Sequence, residues 1–368
     1  VLLVGRRAAG RVPPAALRRP VLGGAVVGAS LATATALAPL PVAAISRRRA
    51  VAVGLVTQSW RGWVLDMAKA DAIGAGLAAA GGGLIVAGTR RYPRGWWLPA
   101  SAGSIGVGAL FAALAPVLIA PIFNDFTPLP EGETRGDVLE LAAEAGVTVR
   151  DVYSVDASRR TTAANAYVTG LGPTKRVVLF DTLLSNYSRD EVRVVVAHEL
   201  AHVRHRDVLR GVAYGAIVAP AAALAVQRLS WALSSDRGTA RAVPALALAT
   251  AIVAGPTGVL GNRLSRALER RADEYSLELS KAPEAFVAFE RRIAVQNVAD
   301  LRPPQALVAL LATHPPTAER IGAAVAWSRL HADSGSPNRD WDPGAGAARS
   351  EAAGDGRNAT HSGGSPYS

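Results

Sequence analysis

This chain of 368 residues has no cysteine, a single methionine and only 19% charged residues. Without thiols, disulfides and thiolate metal ligands are both excluded, so any metal site must be built from His, Asp and Glu. Lysine is nearly absent, occurring only as Lys69, Lys175 and Lys281, so the formal net charge of +11 rests on arginine. No nucleic-acid module with interleaved aromatics accompanies that charge, which argues against nucleic acid as a partner. The arginines gather instead at Arg47, Arg48 and Arg49, at Arg90, Arg91 and Arg94, at Arg204, Arg206 and Arg210, and at Arg263, Arg266, Arg270 and Arg271.

What the chain does have is long uncharged stretches, with half of its residues hydrophobic. Residues 21–45, 72–89, 98–122, 212–231 and 242–260 predict about five membrane spans. Their Ala, Gly and Ser content suits close helix packing in lipid, and the arginine clusters at their ends read as interfacial anchors. At the N-terminus Arg6, Arg7, Arg11, Arg18 and Arg19 precede the first run, and small residues near Ala43 and Ala44 admit a cleavable leader. The run is long for a leader and Arg47, Arg48 and Arg49 follow it as a stop-transfer flank, so a retained span is expected.

Inside one apolar run stands His198-Glu199-Leu200-Ala201-His202, the H-E-x-x-H pattern. Histidines four apart on a helix share a face and can close on one Zn²⁺, while the glutamate between them faces the open coordination position and accepts a proton from water. Ser188 and Glu191 form a capping box that starts this helix, and Val192, Val194, Val195, Val196, Leu200 and Val203 give it a broad buried face. Burying two histidines and a glutamate among valines is costly unless a metal satisfies them together. His205, at the basic exit of the helix, reads as a solvated or locally paired histidine. A catalytic zinc needs a third protein ligand. The best candidate is Glu269, on a helix that a membrane hairpin returns to the same face, with Asp273 one turn on to hold the second nitrogen of a ligand histidine.

The expected fold is therefore mainly α: a multi-pass helical transmembrane bundle carrying a zincin-like α+β catalytic unit. Residues 1–122 form an N-terminal membrane region, 123–210 the catalytic unit, 211–262 a membrane hairpin, and 263–330 a helical region. Residues 331–368, rich in Gly, Ser, Asp, Asn and Pro, form a tail with little to bury and are expected to be disordered. Within these, helices are predicted at 134–145, 265–280, 284–298 and 317–330, strands at 147–155 and 176–180, and no internal repeat is present.

Further motifs recur in order: GLVTQSWRG at 54–62, LIAPIFNDFTPLPEGE at 118–133, Ser158-Arg159-Arg160 leading to Asn165-Ala166-Tyr167, KRVVLFDTL at 175–183, LERRADE at 268–274 and THPPTAER at 313–320. Over residues 51–329 the chain thereby resembles the integral-membrane type I CAAX prenyl endopeptidases and their bacterial relatives. The resemblance implies a zinc-dependent endopeptidase, with about one Zn²⁺ per chain, whose spans enclose a chamber and whose active site faces the cytosol. It implies His198, His202 and Glu269 as zinc ligands and Glu199 as general base. It makes Asn165, Ala166 and Tyr167 an edge strand that pairs with the substrate backbone, a mode with its own physical rationale. His314 and Arg320 resemble residues close to the zinc; His314 is assigned to the oxyanion or to positioning substrate, and Arg320 to substrate binding.

The family usually has more spans than are counted here, so one or two N-terminal spans are missing or were never in this chain. The arginine-rich, cysteine-free composition looks bacterial, which points to a bacterial plasma membrane and away from prenylated substrates. The partners expected are a peptide or protein substrate and membrane lipid. Two other readings compete: a quality-control protease resembling the heat-shock-induced zinc proteases of bacterial membranes, and a non-catalytic membrane scaffold or lipid-handling protein. The matches at 118–133 and 165–167 favour the CAAX-type branch over the former, and the full set of catalytic residues argues against the latter.

Overall fold

The computed structural model describes residues 18–170 and 172–332. The arginine-rich start, with Arg6, Arg7 and Arg11, and the expected tail beyond Ala332 lie outside the described residues. Five described helices are long and apolar enough to cross a membrane. They are α1 (Pro20–Leu37), α3 (Trp60–Arg91), α4 (Trp97–Leu118), α9 (Asp207–Leu233) and α10 (Val243–Ser280). The first is shorter than the expected 21–45. Proline interrupts the helical ladder at Pro39 because it lacks an N–H and crowds the preceding turn, and α2 (Leu40–Ala52) is a separate helix with proline in its first turn.

Small residues let α1 and α3 pack backbone to backbone. A Cβ built on Gly24 of α1 would lie 2.6 Å from the carbonyl oxygen of Gly82 on α3, and one on Gly82 would strike Gly24 in return. Such close approach is what glycines spaced four apart permit between spans. Ser59 caps α3 by accepting a hydrogen bond from Gly62 N–H. The α9–α10 hairpin is tied by Tyr214, whose hydroxyl donates to Thr257 O at 2.7 Å. The helix expected at 265–280 is not separate but the continuation of α10, whose 38 residues extend about 57 Å at the usual helical rise. That exceeds a hydrocarbon core of about 30 Å, so α10 carries its C-terminal part well outside the apolar stretch. Pro256 lies within it.

Between the two groups of spans, the short helix α5 (Ala120–Phe123) leads into a mixed four-stranded sheet. It comprises β1 (Phe126–Pro128), β2 (Asp151–Val155), β3 (Ala166–Thr169) and β4 (Arg176–Phe180), in the order β1-β2-β4-β3. β2 and β4 run parallel, while β1 and β3 are antiparallel to their neighbours. The strand expected at 147–155 begins only at Asp151. Gly146 in the left-handed region and the bond from Val147 N–H to Ala142 O spend the preceding residues on closing α6 (Glu133–Glu144). After α7 (Asp181–Asn186) comes α8 (Arg189–Arg204), whose Ser188/Glu191 capping box is complete. Val138 and Leu141 of α6, Val152, Val177 and Leu179 of the sheet, and Val192, Val196 and Leu200 of α8 form one buried core. α11 (Pro283–Gln296), α12 (Gln305–Leu311) and α13 (Thr317–Ala332) complete the described chain.

Asp137 of α6 is buried and accepts hydrogen bonds from Arg189 Nε at 2.5 Å, Arg189 Nη2 at 2.7 Å and Arg193 Nη1 at 2.9 Å, fastening α6 to α8. The Arg189 guanidinium holds the Asp137 carboxyl below its ordinary 3.8. A depressed folded pKa contributes stability at neutral pH that is lost as pH falls through it. Asp137→Asn is therefore expected to cost about 2 kcal/mol, the scale of charge-assisted hydrogen bonds, at neutral pH and progressively less on acidification. Thermal unfolding in detergent at pH 7 and well below pH 3.8 checks this, and an equal melting temperature for variant and parent at pH 7 would remove the clamp.

Candidate active site

α8 is amphipathic, and its capped start fixes its phase so that His198 and His202 point the same way, toward α10. α10 is locked across α8 by Ser276, whose hydroxyl donates to Val194 O at 2.8 Å. That contact sets Glu269 opposite the histidines. His198 Nε2 lies 3.2 Å from His202 Nε2 and 3.4 Å from Glu269 Oε2, and His202 Nε2 lies 3.6 Å from Glu269 Oε1. A tetrahedral Zn²⁺ with bonds of about 2.0–2.2 Å holds its donors roughly 3.3–3.6 Å apart, so the spacing suits one such ion. Among the described residues these three make the one cluster able to hold a metal.

The other ring nitrogen of each histidine faces a carboxylate. His198 Nδ1 lies 2.9 Å from Asp273 Oδ1, and His202 Nδ1 lies 2.9 Å from Asp207 Oδ2. With the proton on Nδ1, facing its carboxylate, each Nε2 lone pair is presented to the shared centre, as a metal requires. Both carboxylates are held by arginine. Arg320 grips Asp273 through Nε at 2.8 Å and Nη2 at 2.5 Å, and its Nη1 meets the fully buried Glu290 at 2.5 Å. Arg271 and Arg210 both donate to Asp207 Oδ1. Burial works against a charged His198, yet its hydrogen bonds to Asp273 and Glu269 carry its pKa up to about 9. The carboxylates of Glu269, Asp273 and Asp207 around the two histidines favour a cation at the shared centre.

Glu199 is half-buried in a cleft of about 340 Å³ that His198, Glu269, His314, Asn165 and Arg320 also line. Burial pushes its carboxyl up, which makes it a receptive proton acceptor. His314 is largely exposed and its Nδ1–H donates to Glu269 Oε2 at 2.7 Å. β3 is the last strand of the sheet, beside α8. Ala166 and Tyr167 lie in it, with Ala166 buried and Tyr167 half-buried; Asn165 immediately precedes it and is exposed. Phe180 N–H donates to Asn165 O. In an antiparallel ladder this alternation turns the backbone groups of Ala166 and Val168 to the open edge. His205 stands outside the cluster, its ring against Tyr275 at 5.3 Å.

The profile of peptidase family M48 matches residues 128–328, more than half of the chain. The chain belongs to peptidase family M48. Among its M48 relatives, the uncharacterized metalloprotease YhfN of Bacillus subtilis is 32% identical over 241 residues, covering 63% of this chain and 57% of YhfN. The probable CAAX prenyl protease 1 of Schizosaccharomyces pombe is 29% identical over 269 residues, covering 71% of this chain and 56% of that protein. The chain thus spans a little over half the length of both. A protease HtpX homologue of Polynucleobacter necessarius is 32% identical over 204 residues, covering 50% of this chain and 69% of that protein. The crystal structure of S. mikatae Ste24p superposes with a TM-score of 0.78 at 21% identity, covering 88% of this chain and 80% of that one. The M48 chain therefore shares the Ste24p fold, with its spans in a membrane.

Asp207, Arg271 and Glu290 escaped the sequence reading. Asp207 follows the H-E-x-x-H motif by five residues, but it reaches back to His202 only because Arg206 adopts the left-handed conformation, with φ 57°, and reverses the chain. Glu290 left a fainter sign: a lone acid on the apolar face of Phe286, Phe289 and Ile293. Asp207→Ala should weaken zinc binding about 10–100-fold, the usual cost of losing a carboxylate behind a ligand histidine. Competition with a chelating dye reads this directly, and unchanged affinity would leave Asp207 only the start of α9.

Proposed function

We propose that this M48 chain is a zinc metalloendopeptidase embedded in the plasma membrane of a bacterium, with its active site on the cytoplasmic side, hydrolysing peptide bonds of membrane-associated or small peptide and protein substrates. The observation that carries this reading is the convergence of two Nε2 atoms and a carboxylate at zinc spacing, beside Glu199 and an open strand edge. Zinc held by His198, His202 and Glu269, one ion per chain, supplies Lewis acidity toward water and the scissile carbonyl.

The protein's own groups do the rest. An extended peptide adds to β3 through the Ala166 carbonyl and the outward groups of Val168, which tolerates varied side chains. Asn165 Oδ1 is taken by Ala166 N–H at 2.9 Å, so its Nδ2 is the donor it offers a substrate carbonyl. Glu199 accepts the proton of the attacking water and hands it to the leaving amine. Because Nδ1–H of His314 is committed to Glu269, His314 can donate to the oxyanion from Nε2 only as an imidazolium. Arg320 is engaged by Asp273 and Glu290, so it acts on substrate chiefly by holding Asp273 and, through it, His198.

A second reading, a protease acting on membrane proteins at large, is favoured by the greater share of the HtpX homologue that the chain spans. Both readings predict that purified protein cleaves an unstructured fluorogenic peptide and stops when zinc is chelated. Asn165→Ala should lower kcat/KM about tenfold or more, the cost of a lost hydrogen bond with a buried partner, while sparing zinc content and melting temperature. A parallel fall in rate and stability would mean Asn165 merely shapes the turn. No cleavage by zinc-loaded protein would favour the scaffold.

A further inference from the structure

α12 has the sequence QALVALL, apolar at every position but the first. A helix apolar all round is ordinarily buried. Here every position except Val308 is exposed, with Leu307 and Leu310 at 50% and Leu311 at 71%. The approach to it carries Leu301, also exposed at 53%. Water is a poor solvent for such a surface.

Its C-terminal carbonyls are treated as lipid demands. The last turn of a helix leaves carbonyls without partners, and in hydrocarbon each must be satisfied by protein. On α12 the side chains of α10 do this: Arg266 donates to Val308 O at 2.9 Å, to Ala309 O at 3.4 Å and to Ala312 O, and Asn262 donates to Leu310 O at 2.9 Å.

The height of α12 is fixed by the same bonds. Gly261 of α10 lies against the ring of Tyr214 on α9. In this antiparallel hairpin, Val208 and Leu209 therefore stand level with the stretch of α10 that holds α12. Val208 and Leu209 are 67% and 59% exposed at the start of a helix long and apolar enough to cross a membrane, so exposed apolar surface continues from α9 onto α12.

We propose that α12 is immersed in the acyl chains at the margin of the bilayer, a membrane-dipping helix clamped to α10 by Arg266 and Asn262, and that lipid covers Leu307, Leu310 and Leu311. The inference stands on the membrane architecture and not on the peptidase reading. Because α12 ends three residues before His314, it brings lipid to the rim of the cleft.

The absence of cysteine makes the test direct. Leu307→Cys, Leu310→Cys and Leu311→Cys, each in the full chain, are spin-labelled and reconstituted into vesicles of phosphatidylcholine and phosphatidylglycerol, with Leu110→Cys on α4 as the lipid reference and Asp190→Cys as the aqueous one. Collision with oxygen, which partitions into lipid, is compared with collision with a water-soluble nickel chelate. The expected ratio of oxygen to nickel accessibility at the α12 sites matches Leu110 and is several-fold above Asp190. A ratio equal to that of Asp190 would place α12 in water. Low accessibility to both reagents would mean that protein, whether a second copy or a bound chain, covers it. Either result overturns the proposal, and three separate sites keep the test decisive if one variant misfolds.

Discussion

Glu199→Gln is expected to bind zinc as the parent does and to lose roughly 10³–10⁴-fold in kcat, near the upper range for removing a general acid–base group. The two side chains have nearly the same shape, so the cleft keeps its packing. Glu199 is not among the three residues whose donor atoms converge, so the metal loses no ligand. What changes is the proton acceptor. Burial already raises the Glu199 carboxyl, which matches it to a proton held briefly between water and the leaving amine; an amide has no such capacity. Metal analysis and single-turnover kinetics on the same preparation separate the two properties. An active, zinc-replete variant would assign the proton to another group.

Glu269→Ala should do the reverse and strip the site of metal. It removes the one anionic ligand and leaves two imidazoles, an incomplete set for a catalytic zinc. His314 loses its acceptor at 2.7 Å at the same time. The fall in zinc affinity should exceed the factor of about 10–100 expected at Asp207, so that dialysed protein retains well under one equivalent. Because Ser276 still donates to Val194 O, α10 should remain docked on α8. A melting temperature close to that of the metal-free parent would show that the loss is local. Full zinc retention would place the third ligand elsewhere.

How much of this was legible beforehand follows from the range of the interactions. The zinc helix announces itself because its cap, periodicity and two histidines lie within one stretch, and Glu269 could be reached by reasoning that a hairpin returns the chain. The catalytic sheet was less legible. The 147–155 run is apolar enough for a strand along its length, and only Gly146 and the closing of α6 spend its first residues on a turn. The break at Pro39 was readable in principle, since proline ends a helix whatever surrounds it, but the apolar run on both sides concealed it. Asp207 and Glu290 depend on a left-handed residue and on contacts between distant helices, which no local pattern encodes. The same holds for α12: Pro303 and Pro304 mark a break, while the seven apolar positions that follow acquire meaning only from where Arg266 fastens them.

α10 carries both a membrane crossing and two of the site's carboxylates on one length of helix, so the bilayer has a mechanical hold on the reaction centre. Glu269 lies nine residues past Leu260, about 13 Å along the axis. Over that lever arm a change in tilt of about 10°, within the range by which spans accommodate membrane thickness, would sweep the carboxylate sideways by roughly 2 Å, a whole metal–ligand bond. Two features oppose this. The bonds of Arg271 to Asp207 and of Ser276 to Val194 O brace the outer part of the rod against the catalytic unit, and Pro256 interrupts the hydrogen-bond ladder below it, where helices bend. Flexion at Pro256 would let thickness changes be absorbed inside the membrane while the outer segment stays in register with His198 and His202.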